Sequence, residues 1–132
     1  MEKRLNQFTI ADARSQLDAG EISSIELTKT CLDEIRGRDG ALHSFLEVFE
    51  KDAMEEAKRA DARLANGERD GVLDGIPIAL KDNFLNQGKI ASAGSKILAT
   101  HVSASDATVT AKLKEQGAVI VGRTNMDEFA MG

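Results

Sequence analysis

Hydrophobic positions in the first half of the chain recur at helical spacing, and polar faces separate them. The predicted helices are 10–18, 24–36 and 52–65. The first two begin at hydroxyl–carboxylate pairs of the capping-box type, Thr9 with Asp12 and Ser23 with Glu26. Gly37 and Gly40 are expected to end the second helix. This half is therefore predicted to be mainly helical.

Shorter apolar runs separated by turn residues dominate the second half of the chain. The predicted elements are, in order, a strand at 45–49, a strand at 75–80, a long ordered loop at 84–105 with a short helix at 96–98, a helix ending at 115 and a buried strand at 118–122. Ser105 or Asp106 is expected to cap that helix, and Pro77 indicates a strand edge, a bulge or a strand entrance. A strand–loop–helix–strand order is typical of the α/β fold class.

Composition narrows the class of protein. The chain has 132 residues and a net charge of −5, with five Phe and no Trp or Tyr. The negative net charge and the small number of aromatic residues both argue against direct binding of nucleic acid by this chain. The single Cys31 excludes an internal disulfide and a cysteine-pair metal site, and predicts a reducing, cytoplasmic location. No run is long enough to span a bilayer, and no secretory signal precedes residue 10, so no membrane association is expected.

Lys81 is the main candidate for chemistry, because it follows an apolar strand and precedes Asp82 and Asn83. Position alone favours a solvated lysine at a strand end. The alternative is a lysine drawn inward, whose pKa falls because burial disfavours the charged form. Holding a lysine neutral at pH 7 costs about 4–5 kcal/mol from a reference pKa of about 10.4, which only a catalytic role normally justifies.

Four segments together resemble the amidase signature family. They are 73–83 (LDGIPIALKDN), 105–109 (SDATV), 113–122 (LKEQGAVIVG) and 124–132 (TNMDEFAMG). The resemblance extends from the N-terminal helices to residue 132 and is dense from 73 onward. It implies the N-terminal portion of a single amidase signature domain, a mixed β-sheet covered by α-helices, with a mainly helical part at 1–70 and the catalytic lysine in 71–132.

The resemblance implies a Ser–cis-Ser–Lys hydrolase in which Lys81 is the base of the proton relay. Both serines of the relay would lie beyond residue 132. None of the serines in the long loop lies in the expected Gly/Ser-rich stretch, so none is assigned as the nucleophile. These are Ser92, Ser95, Ser103 and Ser105.

The last of these segments contributes to the site in two ways. Met131 and Gly132 correspond to positions near the family's substrate pocket, although a methionine is also a common core residue. The polar residues of the same segment, Asn125, Asp127 and Glu128, are expected to fix its geometry by hydrogen bonds. Arg123 stands where many relatives carry lysine. No metal ligands are expected in this chain.

Within the family, residues 124–132 are most similar to the glutamine-hydrolysing subunits of tRNA-dependent amidotransferases. That similarity implies a ligase complex, a heterotrimer that converts Glu-tRNA(Gln) to Gln-tRNA(Gln). Glutamine would be the substrate here, B and C subunits the protein partners, and tRNA would be reached through the complex. ATP and Mg²⁺ would bind at the partner subunit, with no cofactor in this chain. Two alternatives stay open: a stand-alone amidase of the same family, and an inactive fragment that only binds partner subunits.

Overall fold

The computed structural model describes residues 4–132, which form a mixed α/β fold. The helices are α1 (Ile10–Asp18), α2 (Ser24–Leu42), α3 (Glu50–Ala65) and α4 (Thr108–Glu115). The strands are β1 (Phe45–Val48), β2 (Pro77–Lys81) and β3 (Val119–Thr124). Short 3-10 turns lie at Leu5–Gln7, Lys96–Leu98 and Glu128–Ala130. None of the helices within this described range is both long and apolar enough to cross a membrane.

The three strands form one sheet with β3 in the middle. β1 pairs with β3 antiparallel and β2 pairs with it parallel, so the carboxyl ends of β2 and β3 lie side by side. Pro77 is the first residue of β2, on the sheet's outer edge, where its missing N–H removes no ladder hydrogen bond. The strand edge and entrance predicted from this proline are confirmed, and the register with β3 also shifts between Ile78 and Ala79, as the alternative of a bulge predicts.

Helices α2 and α3 pack against the sheet through a narrow apolar core. Ala53 and Ala57 of α3 are almost completely buried beside Val119 and Val121 of β3, with Leu32 of α2 completing the cluster. Small side chains on α3 let its backbone approach the sheet closely. A second cluster, built from α1, α2 and the residue before β2, contains Ala13, Leu17, Leu27 and Ile76.

The end of α2 differs from the sequence prediction. The helix continues through Gly37 and Gly40 to Leu42 and ends at His43, which adopts a left-handed backbone with φ 53°. The Asp39 side chain accepts hydrogen bonds from the backbone N–H groups of the two residues after His43, which caps the helix end. A glycine inside a helix costs only about 1 kcal/mol relative to alanine, too little to stop a helix with a better end nearby.

The start of α4 also differs from the prediction. Its N-cap is Ala107, whose side chain makes no capping hydrogen bond, so neither Ser105 nor Asp106 caps it. Asp106 instead accepts a hydrogen bond from the backbone N–H of Gln87 at 2.7 Å and pairs with Lys114 at 2.9 Å. The Asp106 carboxylate therefore binds the Lys114 ammonium group and a loop N–H instead of the N–H groups at the start of α4.

Candidate functional site

Lys81 is the last residue of β2, at the carboxyl end of the parallel pair. Its partner in the register is Thr124 at the end of β3, and its carbonyl oxygen accepts a hydrogen bond from the N–H of Phe84. Lys81 is exposed, because β2 is an edge strand and none of residues 4–132 covers it. The described residues therefore present Lys81 outward instead of drawing it into their own core.

Asp82, the next residue, points into the protein and is buried. Its Oδ1 accepts hydrogen bonds from the backbone N–H of Ser92 at 3.1 Å and from Nη1 of Arg123 at 2.6 Å. Its Oδ2 accepts one from the backbone N–H of Gly94 at 2.8 Å and another from the hydroxyl of Ser92 at 2.5 Å. We call Asp82, Ser92, Gly94 and Arg123 the Asp82 network. In it, four hydrogen-bond donors satisfy one buried carboxylate.

The electrostatics of Asp82 follow from these contacts. Burial opposes ionisation of the carboxyl group, but the hydrogen bonds from Ser92, Gly94 and Arg123 together outweigh it and hold the pKa of Asp82 below its usual value. The carboxylate is therefore ionised at neutral pH and forms a buried ion pair with Arg123.

Arg123 links the Asp82 network to the other edge of the sheet. Its side chain is 13% exposed, and besides Asp82 it pairs with Glu47 of β1 through Nε at 3.1 Å. One guanidinium on the central strand thus bridges carboxylates on both sides of it. Its planar group with several N–H donors is suited to two partners at once.

A tight turn at residues 92–95 packs against Asp82. Ala93 and Gly94 both have left-handed backbones, with φ 49° and 66°. The backbone N–H groups of Ser92 and Gly94 point inward, and the Asp82 carboxylate fills the resulting anion-binding concavity. The turn therefore supplies two of the four hydrogen-bond donors to the Asp82 carboxylate through its backbone.

The same turn holds the segment 126–132. The hydroxyl of Ser95 donates a hydrogen bond to Oε1 of Glu128 at 2.7 Å, and the N–H of Phe129 donates one to the carbonyl oxygen of Ala93 at 2.8 Å. The Asn125 side chain accepts a hydrogen bond from the N–H of Met126. The hydrogen bonds predicted for Asn125 and Glu128 are confirmed, whereas Asp127 contributes a backbone carbonyl that accepts from the N–H of Ala130.

The segment ends in a strained stretch next to the two candidate pocket residues. Phe129 and Ala130 both have left-handed backbones, at φ 52° and 56°, which side-chain-bearing residues rarely adopt. Met131, directly after them, is 80% exposed, and Gly132 is exposed as well. A large apolar side chain held outward on a strained backbone is consistent with a surface that contacts another group.

Three of the four serines of the long loop have hydroxyl groups with structural partners. Ser92 donates to Asp82, Ser95 to Glu128 and Ser103 to the carbonyl oxygen of Ser105 at 2.6 Å. A hydroxyl already committed to a carboxylate or a carbonyl is poorly placed to attack a substrate.

Sequence reasoning singles out Lys81 but misses the roles of its neighbours. In the sequence, Asp82 stands out only as a polar residue beside Lys81, and Arg123 only as a departure from the family pattern. They lie 41 positions apart, and their pairing depends on the parallel alignment of β2 and β3. The one available signal is the apolar strand pattern before each of them, which places both near carboxyl strand ends.

Comparison with known proteins finds similarity over most of this chain. The family model described as Amidase matches residues 26–132. The A subunit of glutamyl-tRNA(Gln) amidotransferase from Desulfatibacillum aliphaticivorans is 48% identical over 128 residues, which are 97% of this chain and 26% of that protein. Its counterpart from Gloeothece citriformis, of the same name, is 45% identical over 124 residues, 94% of this chain and 26% of that protein.

A solved structure shares the fold of this chain. The native peptide amidase of Stenotrophomonas maltophilia superimposes with a TM-score of 0.86 at 34% sequence identity, over 93% of this chain and 26% of that chain. The chain therefore spans about a quarter of the length of the relatives that it matches.

Proposed function

Since this chain belongs to the amidase family, we propose that it forms the N-terminal part of the glutamine-hydrolysing subunit of a tRNA-dependent amidotransferase. The observation that carries the proposal is the identity of 45% and 48%, over nearly the whole chain, to two proteins named as the A subunit of glutamyl-tRNA(Gln) amidotransferase. The whole protein would release ammonia from glutamine, and the complex would use it to convert Glu-tRNA(Gln) to Gln-tRNA(Gln).

Lys81 would be the base of the relay. It stands at the carboxyl end of a parallel strand, the edge at which ligands bind in open α/β sheets. The cis-serine and the nucleophilic serine would come from the part of the relatives' length that residues 1–132 do not span. That part would also cover Lys81. Burial would disfavour the charged ammonium group, and a lysine must lose its proton before it can act as a base.

The acyl transfer would use Lys81 and the two serines in sequence. The neutral Lys81 amine would take a proton through the cis-serine from the nucleophilic serine, whose oxygen attacks the side-chain amide carbon of glutamine. The proton would then pass to the leaving nitrogen, which departs as ammonia and leaves a glutamyl ester. Water would then hydrolyse that ester: it would give a proton to the same relay as it attacks, and the nucleophilic serine would regain a proton as it leaves. Met131 and Gly132 would line the pocket for glutamine.

The other reactants would belong to the partners. A B subunit would bind ATP and Mg²⁺ and activate the Glu-tRNA(Gln), and a C subunit would wrap the interface. This chain would hold neither cofactor nor metal, and would reach tRNA only through the complex. The cytoplasm is the compartment in which these reactants occur together.

The test uses the full-length protein assembled with its partner subunits. Lys81→Ala is expected to abolish Gln-tRNA(Gln) formation from glutamine and to preserve its formation from ammonium, since the second step belongs to the partner. Lys112→Ala, which removes an exposed lysine from α4, is the matched control and should leave both reactions intact. Equal glutamine use by the Lys81→Ala protein would refute the proposed site.

A stand-alone amidase is the second candidate, and the 34% identity to a peptide amidase favours it. The two candidates differ in their dependence on partners. Hydrolysis of simple amides by the full-length protein purified without other subunits, with no stimulation on adding them, would select the stand-alone enzyme. Glutamine hydrolysis that requires the partners would select the amidotransferase.

A further inference from the structure

We propose that Asp82 is a positioning residue for Lys81: its buried carboxylate, enclosed by the turn at 92–95 and paired with Arg123, fixes the strand end that carries the lysine. The inference rests on the proposed role of Lys81 as the base. It assigns to the Asp82 network a task in the reaction besides its contribution to stability.

The strand that carries Lys81 is weakly constrained within residues 4–132. β2 is an edge strand in the part of the chain that the structure describes, so β3 is its one neighbour in the sheet. The ladder between them ends at Lys81 and Thr124. A residue at the end of an edge strand has few constraints of its own, because strand ends open more readily than strand centres.

Asp82, in contrast, is held at every polar group. Its N–H donates to the carbonyl oxygen of Thr124 at 3.1 Å, and its carbonyl oxygen accepts from the N–H of Ala93 at 3.1 Å. Its two carboxylate oxygens accept the four hydrogen bonds of the Asp82 network. The backbone on the carboxyl side of Lys81 is thereby attached both to β3 and to the turn.

The side chains of Lys81 and Asp82 differ in their exposure to solvent. Lys81 is exposed at the end of β2, whereas Asp82, in the turn that follows, is buried, so the two side chains lie in different environments. Asp82 thus acts through the shared backbone and does not contact the reacting atoms. A displacement of about 1 Å at a catalytic group can cost about 100-fold in rate.

The central experiment is Asp82→Asn in the full-length protein with its partner subunits. Asparagine keeps the shape, but its amide nitrogen cannot accept the hydrogen bonds that one carboxylate oxygen now receives. We expect the glutaminase kcat to fall by about 10- to 100-fold with the KM for glutamine within about threefold, since a misplaced base impairs the chemical step and not substrate binding.

Asp106→Asn is the matched control. Asp106 is a mostly buried carboxylate that, like Asp82, accepts a backbone N–H and pairs with a cation, but it links the loop at Gln87 to the last turn of α4 and does not hold the end of β2. Its kcat should stay within about twofold of the original. A loss in Asp106→Asn equal to that in Asp82→Asn would reduce the effect to general destabilisation and overturn the proposal.

Two further sites keep the proposal falsifiable if Asp82→Asn fails to fold. Ser92→Ala removes one hydrogen bond without unpairing the charge, and should lower kcat a few-fold at unchanged KM. Arg123→Lys retains a cation for Asp82 and should keep kcat within about threefold, whereas Arg123→Gln should lose as much as Asp82→Asn. Unchanged kcat in a folded Asp82→Asn protein, or in both Ser92→Ala and Arg123→Gln, would overturn the proposal.

The outcomes separate this inference from the proposed function. If Lys81→Ala retains glutaminase activity, Lys81 is not the base and the proposed function of the site fails. If Lys81→Ala is inactive while Asp82→Asn is as active as the original, the function stands and only the positioning role of Asp82 is refuted.

Discussion

At the scale of single residues, two cations near neighbouring strand ends are held very differently. Arg123 is mostly buried and pairs with Asp82 and Glu47 on either side of its strand. Lys81 is exposed, and within residues 4–132 its ammonium group has no hydrogen-bond acceptor. A structural cation needs partners, whereas a base needs freedom to lose its proton. The contrast indicates a structural role for Arg123, and it leaves Lys81 available for the role proposed above.

Replacing Lys81 by arginine tests that assignment. Arginine keeps the positive charge but stays protonated at any working pH, so it cannot act as a base. We expect Lys81→Arg to lose several orders of magnitude in glutaminase kcat, nearly as much as Lys81→Ala. Steady-state ammonia release by the full-length complex is the measurement. Retention of more than about a tenth of kcat would remove Lys81 from the relay, because proton transfer alone is typically worth about 10²–10⁴-fold.

The buried carboxylate of Asp82 predicts a dependence of stability on pH. The pKa of Asp82 is lowered on folding, so its contribution is complete above the unfolded value of about 3.9 and is lost as the pH falls through the folded value. Asp82→Asn should cost about 1–3 kcal/mol at neutral pH, because Arg123 would keep Glu47 but lose its buried partner, and this difference should shrink below about pH 4.

Urea midpoints of the full-length protein between about pH 7 and about pH 3 measure this effect. Exposed Glu55 provides the control: Glu55→Gln should leave the pH dependence as it is. Parallel loss of stability in the original and Asp82→Asn proteins would show that another carboxylate is responsible.

At the scale of the elements, the turn at 92–95 fits closely against the segment 126–132. A Cβ built on Gly94 would lie 2.7 Å from the carbonyl oxygen of Met126, and φ there is +66°. Gly94→Ala should therefore combine a backbone cost of about 1–2 kcal/mol with a displacement of that segment. We expect both a lower urea midpoint and a raised KM for glutamine.

Gly88 separates the two effects. It has a similar backbone, with φ +78°, but no atom lies within 4 Å of the added Cβ. Gly88→Ala should lower stability by the backbone cost alone and leave the KM unchanged. If the two variants behave alike, close contact with Met126 is not what the glycine at 94 provides.

The elements also show where sequence reasoning succeeds. α1 begins and ends as predicted, because the capping box of Thr9 and Asp12 and the left-handed Gly20 are local signals. The predictions for the end of α2 and the start of α4 are wrong, because Asp39 and Asp106 have partners that local patterns do not reveal. The candidate site likewise has a part that the sequence reveals and a part that only the structure reveals. A motif singles out the lysine at the end of β2, while only the fold joins its buried neighbour to the arginine of β3.

At the scale of the whole molecule, the expected mixed α/β fold of the amidase family is confirmed. Its sheet in residues 4–132 has three strands, with β1 and β2 at the edges. Leu46 and Val48 are exposed on β1, and Met131 is exposed beyond β3. These apolar groups and open edges are surfaces that the remainder of a longer relative would cover.

A protein consisting of residues 1–132 alone should accordingly be inactive and marginally stable. The proposed base would be present without either serine of the relay, and the open edges would favour association. We expect no glutamine-dependent ammonia release above background, and a broad, concentration-dependent melt below about 60 °C. Measurable ammonia release, or a sharp and concentration-independent transition above that temperature, would contradict these two expectations respectively.

The central place of β3 has a consequence for synthesis on the ribosome. Glu47 of β1 pairs with Arg123 of β3, which lies 76 positions later in the chain. β2 also pairs with β3, so it too has no sheet partner among residues 4–132 until β3 has been synthesised. At about 5–20 residues per second, β1 emerges roughly 4–15 s before its partner. The nascent chain therefore carries two unpaired strands while α2 and α3 can already pair. Hydrogen exchange on stalled nascent chains should find the amides of β1 unprotected until β3 has left the exit tunnel.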